Sequence, residues 1–406
     1  MTGARTEHSP RQDTTANDRQ ETIMTNPSAP EPSQEEILGK AQKAFHDADL
    51  LSETGHAEDA VKALTQALDL YRRLPDTEQD QADCLYNTAV ILEEAGQFDR
   101  SLTTYQQALD LYRGLPGTEQ SQALCLGSTG FNLYEMGRYT DAFNFYIDAL
   151  EIYHTLTDAE QDRAVCLDRI GLTLSELGRN ENALNFYRGA LEAYRTLPDT
   201  HHQQADCLHN LAQSLREIGQ FDQALDSYRQ ALEIYRQMGN TFPQQANCLH
   251  CIGSTLGSLG QADQAVEPYR QALETYRQMG NTLPQQADCL HDLGRALRKT
   301  GQFEQSADSY RQALDICIQI EGGKHYQAVC LYNIGISLHL ADHFEEALDS
   351  YRQALGLYRQ VDGTESQQAR CLTNTGVVLD DMGRHEEALA FYQQAQEIYP
   401  QPDGGQ

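Results

Sequence analysis

The sequence is short of positive charge. Of 406 residues, 30 are Lys or Arg against 60 Asp or Glu, a formal charge of −30. Only Lys40, Lys43, Lys62, Lys299 and Lys324 are lysines. A phosphate backbone or an anionic lipid surface needs a basic footprint, so nucleic acid and membrane are excluded as general partners. The same charge favours solubility. No apolar run follows Met1 and no window approaches the roughly 18 apolar residues of a membrane span. Ten cysteines without a secretion signal imply a reducing compartment, and a cytoplasmic protein is expected. Catalytic signatures are missing too: no Gly-x-Ser-x-Gly, no phosphate loop, no dinucleotide fingerprint, no His-Glu-x-x-His. Neither an enzyme nor a cofactor is expected.

What is present is a period. Cysteines recur at 84, 125, 166, 207, 248, 289, 330 and 371, each 41 residues from the next. Residues 1–32 lie outside the repeat; they are polar, turn-rich and patternless, and are expected to be a disordered tail, as are 401–406. Met24 offers an alternative start. Ser33 with Glu36 forms a capping-box signal for a first helix. From there to about residue 400 the unit runs nine times. In the unit from Ala82, Leu85, Ala89 and Leu92 form one apolar helical stripe. Gly96 suits a left-handed helix end, and Asp99 suits the positive start of the next helix. Ser101, Tyr105, Ala108 and Tyr112 then share a face of that second helix. Breakers such as Pro116, Gly117, Pro198, Gly239 and Gly363 separate the units.

Stepping by 41 gives only small residues at one position, Ala48, Ala89, Gly130, Gly171, Ala212, Gly253, Gly294, Gly335 and Gly376. Three residues on, Leu51 through Leu379 are leucine in every copy. Leu64 and then Tyr105 through Tyr392 occupy the second helix, with alanine from Ala67 to Ala395. Small residues facing large ones are what interlocking helix layers need.

The pattern Leu208, Leu211, Ala212, Leu215, Gly219, Ala224, Tyr228, Ala231 resembles the tetratricopeptide repeat. The resemblance implies an all-α solenoid, a right-handed superhelix of about nine helix-turn-helix repeats over 33–400. Two departures stand out. The usual period of this family is 34, so the helices are expected to be longer, as in kinesin light chains and Pins-type adaptors. The proline that commonly closes the motif is replaced, usually by arginine, as in Tyr235-Arg236. The end copies are atypical: Lys43 and Ala44 stand where later copies have Cys and Leu, and Gln394 and Gln396 make the last helix polar.

Candidate sites lie where copies differ. The recurring thiols read as core packing, and Cys317 as packing in a place that is Tyr276 and Tyr358 elsewhere. Cys248-Leu249-His250-Cys251 carries zinc-type ligands, but two cysteines three apart on one helix do not make the turn-borne pair of a structural site, so no metal is expected. The resemblance implies that the first helices line an inner groove. Inner positions then hold Asn87, Asn210, Asn333 and Asn374, a row of amides able to donate and accept along an extended peptide backbone. They also hold Arg216, Arg295, Arg298 and Lys299, beside His209, His250 and His291, in an otherwise acidic chain. Arginine recognises carboxylates in a bidentate way.

The expected function is an adaptor or scaffold that binds an extended, acidic peptide segment of a protein partner in this groove. Two other readings stand beside it. One is a structural solenoid that self-associates into a homo-oligomer through its C-terminal end. The other is a regulatory sensor of a signalling peptide, changing pitch repeat by repeat.

Overall fold

The computed structural model describes residues 32–320 and 323–399. Met24 and, apart from Pro32, the tails expected at 1–32 and 401–406 lie outside these residues. The described residues form eighteen helices from Gln34–Glu53 to His385–Ile398, paired as nine repeats in a right-handed superhelix. In repeats 2 to 9 the first helix is 17 residues long and the second 14 to 18. The capping box opens the array: Ser33 Oγ accepts from the Glu36 amide at 3.2 Å, and the Glu36 carboxylate accepts from the Ser33 amide at 3.2 Å.

Each first helix ends in the same way. Gly96 adopts φ 69°, its amide donates to the Glu93 carbonyl, and the Gln97 amide donates to the Leu92 carbonyl at 2.8 Å. This is the Schellman closure. It recurs with the carbonyls of Leu133, Leu174, Leu215, Leu256, Leu297, Leu338 and Leu379. The glycine is Asp342 in repeat 8, where φ is still 60°. The invariant leucine therefore does two things: its side chain fills the core and its carbonyl closes the turn.

The second helix is held by its tyrosine. Tyr105, Tyr187, Tyr228, Tyr269, Tyr310 and Tyr351 are fully buried. The small residue on the first helix is small because of that ring. A methyl group added at Gly171 or Gly253 would stand 2.8 Å from the ring of Tyr187 or Tyr269. The thiols pack beside it, and Cys166 and Cys289 donate to the Tyr146 and Tyr269 carbonyls at 3.0 and 3.2 Å. Burial pushes the Cys84 and Cys125 thiols up to about 12, so they stay protonated and unreactive.

A feature that the sequence reading passed over joins one repeat to the next. At the start of the first helix, buried Thr77, Thr118, Thr200, Thr241, Thr282 and Thr364 do not cap that helix. Each hydroxyl reaches back to the carbonyl of the last tyrosine of the preceding helix, at 2.6 to 2.7 Å. A glutamine four residues later donates to the threonine oxygen, as Gln204 does at 3.1 Å. The signal was a Thr-x-x-x-Gln at every step of 41 except where Ala159 and Gly323 replace the threonine.

Candidate binding groove

The first helices of successive repeats lie closer together than the second helices, the arrangement of an inner face. First helices of successive repeats touch one another directly, as in Glu160–Glu176 with His201–Glu217, in Phe242–Ser258 with Leu283–Lys299, and in Lys324–Leu340 with Glu365–Asp381. Second helices are not in comparable contact. Inner positions of neighbouring repeats are therefore within reach of each other, and the structure fills that reach with side-chain pairs.

The rule of pairing is diagonal. The residue after the large apolar position stacks on its own repeat's tyrosine. Tyr86, His209, His250, His291 and Tyr332 lie 5.2 to 5.8 Å, centroid to centroid, from Tyr105, Tyr228, Tyr269, Tyr310 and Tyr351. In repeats 6 and 8 its polar edge then meets the next repeat one position further on. His250 Nε2 meets Asp292 Oδ2 at 3.1 Å, and the Tyr332 hydroxyl accepts from Asn374 Nδ2 at 3.0 Å. His209 Nδ1 lies 3.4 Å from Cys248 Sγ, and burial lowers the His209 pKa.

These pairs change the expected amide row. Asn333 is engaged at both ends: its oxygen accepts from Arg298 at 2.9 Å and its amide donates to the Val329 carbonyl at 2.9 Å. Asn374 gives its amide to Tyr332. Asn87 and Asn210 are half-buried on the inner face. The asparagines are thus not one uniform row.

The cations separate in the same way. Arg295 stands 3.0 Å from Asp292, which also meets His250 and, at 3.8 Å, His291. Burial works to raise the Asp292 pKa, but hydrogen bonds from His250 and His291 and the Arg295 charge outweigh it and hold the carboxyl far below its ordinary value. Arg216 pairs with Glu217 at 2.9 Å, while its buried Nε has no hydrogen-bond partner. Arg298 lies over the Tyr310 ring at 5.8 Å. Among the described residues neither Arg298 nor Lys299 has a carboxylate partner. Lys299 lines a polar hollow of about 350 Å³ with Ser258, Tyr269, Asp292 and Arg295.

The thiols are all free. No group of three or more His, Cys, Asp or Glu able to hold a metal occurs among the described residues. No helix there is long and apolar enough to cross a membrane.

The paired helices, the tyrosine on the small residue and the leucine-closed turn define a class, the helical-repeat solenoid. Within it, the tetratricopeptide repeat family matches 48–114, 81–155, 120–196, 163–237, 244–319, 286–360 and 327–401, and the chain belongs to that family. No curated relative matches it. The chain is similar in fold to the apo form of RapI, at 15% identity over 88% of this chain and 97% of that one, with a TM-score of 0.59. It is similar to the apo form of the quorum sensor NprR of B. thuringiensis, at 18% identity over 90% and 99%, with a TM-score of 0.55. A STAND protein with a tetratricopeptide repeat sensor from Pyrococcus horikoshii matches at 12% identity over 84% and 52%, with a TM-score of 0.59.

Proposed function

We propose that the chain is an adaptor whose inner groove takes an extended peptide segment carrying acidic side chains or a carboxylate terminus. Proteins of the tetratricopeptide repeat fold generally mediate protein–protein interactions. The observation that carries the finer reading is the pair Arg298 and Lys299, cations without a carboxylate partner among the described residues, on the inner face of a chain with a formal charge of −30. Arg295 contributes less than its type suggests, because Asp292 already occupies it. Asn87 and Asn210 are the amides left to meet a peptide backbone, since Asn333 and Asn374 serve the neighbouring repeats.

The test is fluorescence anisotropy with a labelled hexaglutamate peptide against hexaglutamine. The wild-type chain binds hexaglutamate in preference, and the preference declines with salt. The double variant Arg298→Ala, Lys299→Ala loses it at unchanged helicity and melting temperature. Equal binding of the two peptides by the wild-type chain, or undiminished preference in the double variant, overturns the acidic-peptide reading.

A further inference from the structure

Three of the eight tyrosine-bearing copies lack a ring at the inner position that stacks on the tyrosine: repeat 4 has Asp168 there and repeat 9 Thr373, and only repeat 3 has no side chain at all. Where five copies place an aromatic ring over their own tyrosine, repeat 3 has Gly127. A Cβ built there meets nothing within 4 Å. The missing side chain leaves a hollow of about 360 Å³ whose walls include Gly127, Phe131, Tyr146, Val165 and Arg169. A dry cavity of about 150 Å³ already takes a benzene ring. Beneath it the Tyr146 ring is 3% exposed, and its hydroxyl is buried without a hydrogen-bond partner, as are those of Tyr228 and Tyr310 beneath their imidazoles, which bring no hydroxyl to meet them. A buried polar atom left unpaired is costly, and a ligand that reaches it relieves that cost.

We propose that this hollow is a binding site for a phenol ring, seated over Tyr146 as the chain's own Tyr86 and Tyr332 sit over Tyr105 and Tyr351. The internal copies give the pose. Tyr332 tilts on Tyr351 with centroids 5.8 Å apart, and its oxygen accepts from Asn374, 42 residues on. Forty-two residues after Gly127 stands Arg169, which lines the hollow with its guanidinium over Phe131 at 5.6 Å. The corresponding donor is present and the ring is not.

Arg169 also selects the kind of ring. Guanidinium only donates, so it suits an oxygen acceptor and opposes a protonated imidazole. The contrast is repeat 6, where His250 meets an acceptor, Asp292. A ring bearing a full negative charge is disfavoured in turn by Glu93 and Asp162, which also line the hollow. A neutral phenol satisfies both conditions: its oxygen faces Arg169, and its hydroxyl proton has the Tyr146 oxygen or Glu93 as acceptor. The site lies in repeats 2 to 4, apart from Arg298 and Lys299, and does not rest on the peptide reading.

The test is saturation-transfer NMR on the full chain with p-cresol, and with toluene as the ring without a hydroxyl. Wild-type protein transfers saturation to p-cresol and binds it about tenfold more tightly than toluene, the lower end of what a hydrogen bond to a charged group supplies. Gly127→Tyr fills the hollow from within, abolishes transfer and raises the melting temperature; Gly127→Ala leaves binding intact. Arg169→Met keeps ring binding and brings the p-cresol-to-toluene ratio close to one. Competition by N-acetyl-tyrosinamide identifies the natural source as a tyrosine side chain, and its failure to compete identifies a free small phenol. No transfer to p-cresol in the wild-type chain, undiminished transfer in a folded Gly127→Tyr, or an unchanged ratio in Arg169→Met overturns the proposal.

Discussion

Removing the hydroxyl of Thr200 tests whether the junctions between repeats are held by the threonine clasp or only by apolar packing. Valine keeps the β-branched shape and volume and deletes one donor. Three groups converge on the Tyr194 carbonyl: Thr200 Oγ1 at 2.6 Å, Gln204 Nε2 at 3.1 Å and the Leu197 amide at 3.2 Å. The carbonyl therefore keeps two donors in Thr200→Val, and no buried acceptor is orphaned. The cost is the net value of a lost neutral hydrogen bond, about 1 kcal/mol. Adding Gln204→Met strips a second donor and brings the cost to about 2 kcal/mol, with the Leu197 amide remaining. The reverse change is available in the same molecule. Ala159 occupies the threonine place with φ −106° and ψ 21°, against −102° and 19° at Thr200, and the Tyr153 carbonyl receives only a long 3.4 Å bond from Leu156. Ala159→Thr therefore gains about 0.5 to 1.5 kcal/mol. Urea unfolding followed by circular dichroism gives the totals, and amide exchange at the junction of Asn180–Thr196 with His201–Glu217 gives the locality, since repeat arrays yield nearest neighbour by nearest neighbour. Exposed Thr196→Val is the control. If Thr200→Val is no more costly than Thr196→Val and Ala159→Thr destabilises, the clasp has no energetic role.

Truncating Tyr228, fully buried against the first helix of its repeat, costs about 3–5 kcal/mol and exposes repeats 5 and 6 to exchange before the rest; one sharp, unshifted transition refutes this. Gly335→Val drives a branched side chain into the Tyr351 ring, already 2.7 Å from a built Cβ, and costs about 1–3 kcal/mol of overpacking in the same unfolding assay. Burial pushes the Asp168 and Glu93 carboxyls up to about 6 and about 7. Each binds its proton more tightly folded than unfolded, so its contribution is full below about pH 4 and is lost as pH rises through 6 to 7. Asp168→Asn with Glu93→Gln is then more stable than wild type at pH 8 and gains nothing at pH 4; a constant difference across that range refutes the assignment. His209, whose pKa burial lowers, acts in the opposite direction, opposing folding as pH falls below its ordinary value of 6.5.

The fold was legible because the period writes each packing contact nine times. Leu215, Tyr228 and the small residue at 212 announce themselves by recurrence, and close approach follows from size alone. The threonine clasp recurs at six of the eight junctions, but threonine before a helix is ordinarily a cap, and local propensity hides that this hydroxyl turns backward to Tyr194. Residue types likewise gave the candidate groove without its pairings. Nothing in the type of Asn333 tells that Arg298 holds its oxygen, because that partner lies in another helix. The hold of Asp292 on Arg295, three residues apart on one helix, was open to a spacing argument that type alone does not make.

A single offset recovers part of what was missed. Three pairs on the first helices lie not 41 but 42 residues apart, His250 with Asp292, Tyr332 with Asn374 and His339 with Asp381 at 2.7 Å, beside His209 with Cys248 at 39 and Arg298 with Asn333 at 35. On the second helices the offset is 35, as in Arg270 with Gln305 at 3.0 Å and Arg277 with Gln312 at 2.7 Å. A superhelix pairs along diagonals because each repeat is rotated against the last, so a column aligned at 41 shows the packing and a diagonal shows the polar bonds. On the proposed reading, a site for another molecule is a place where a diagonal has lost one member and kept the other. Arg169 without a ring at Gly127 meets that description, whereas Arg298 keeps a cross-repeat partner in Asn333 and enters the peptide proposal only as a cation without a carboxylate partner among the described residues. By the same logic, restoring the missing member in cis removes the site, so Gly127→Tyr is expected to stabilise the array while it blocks the ring.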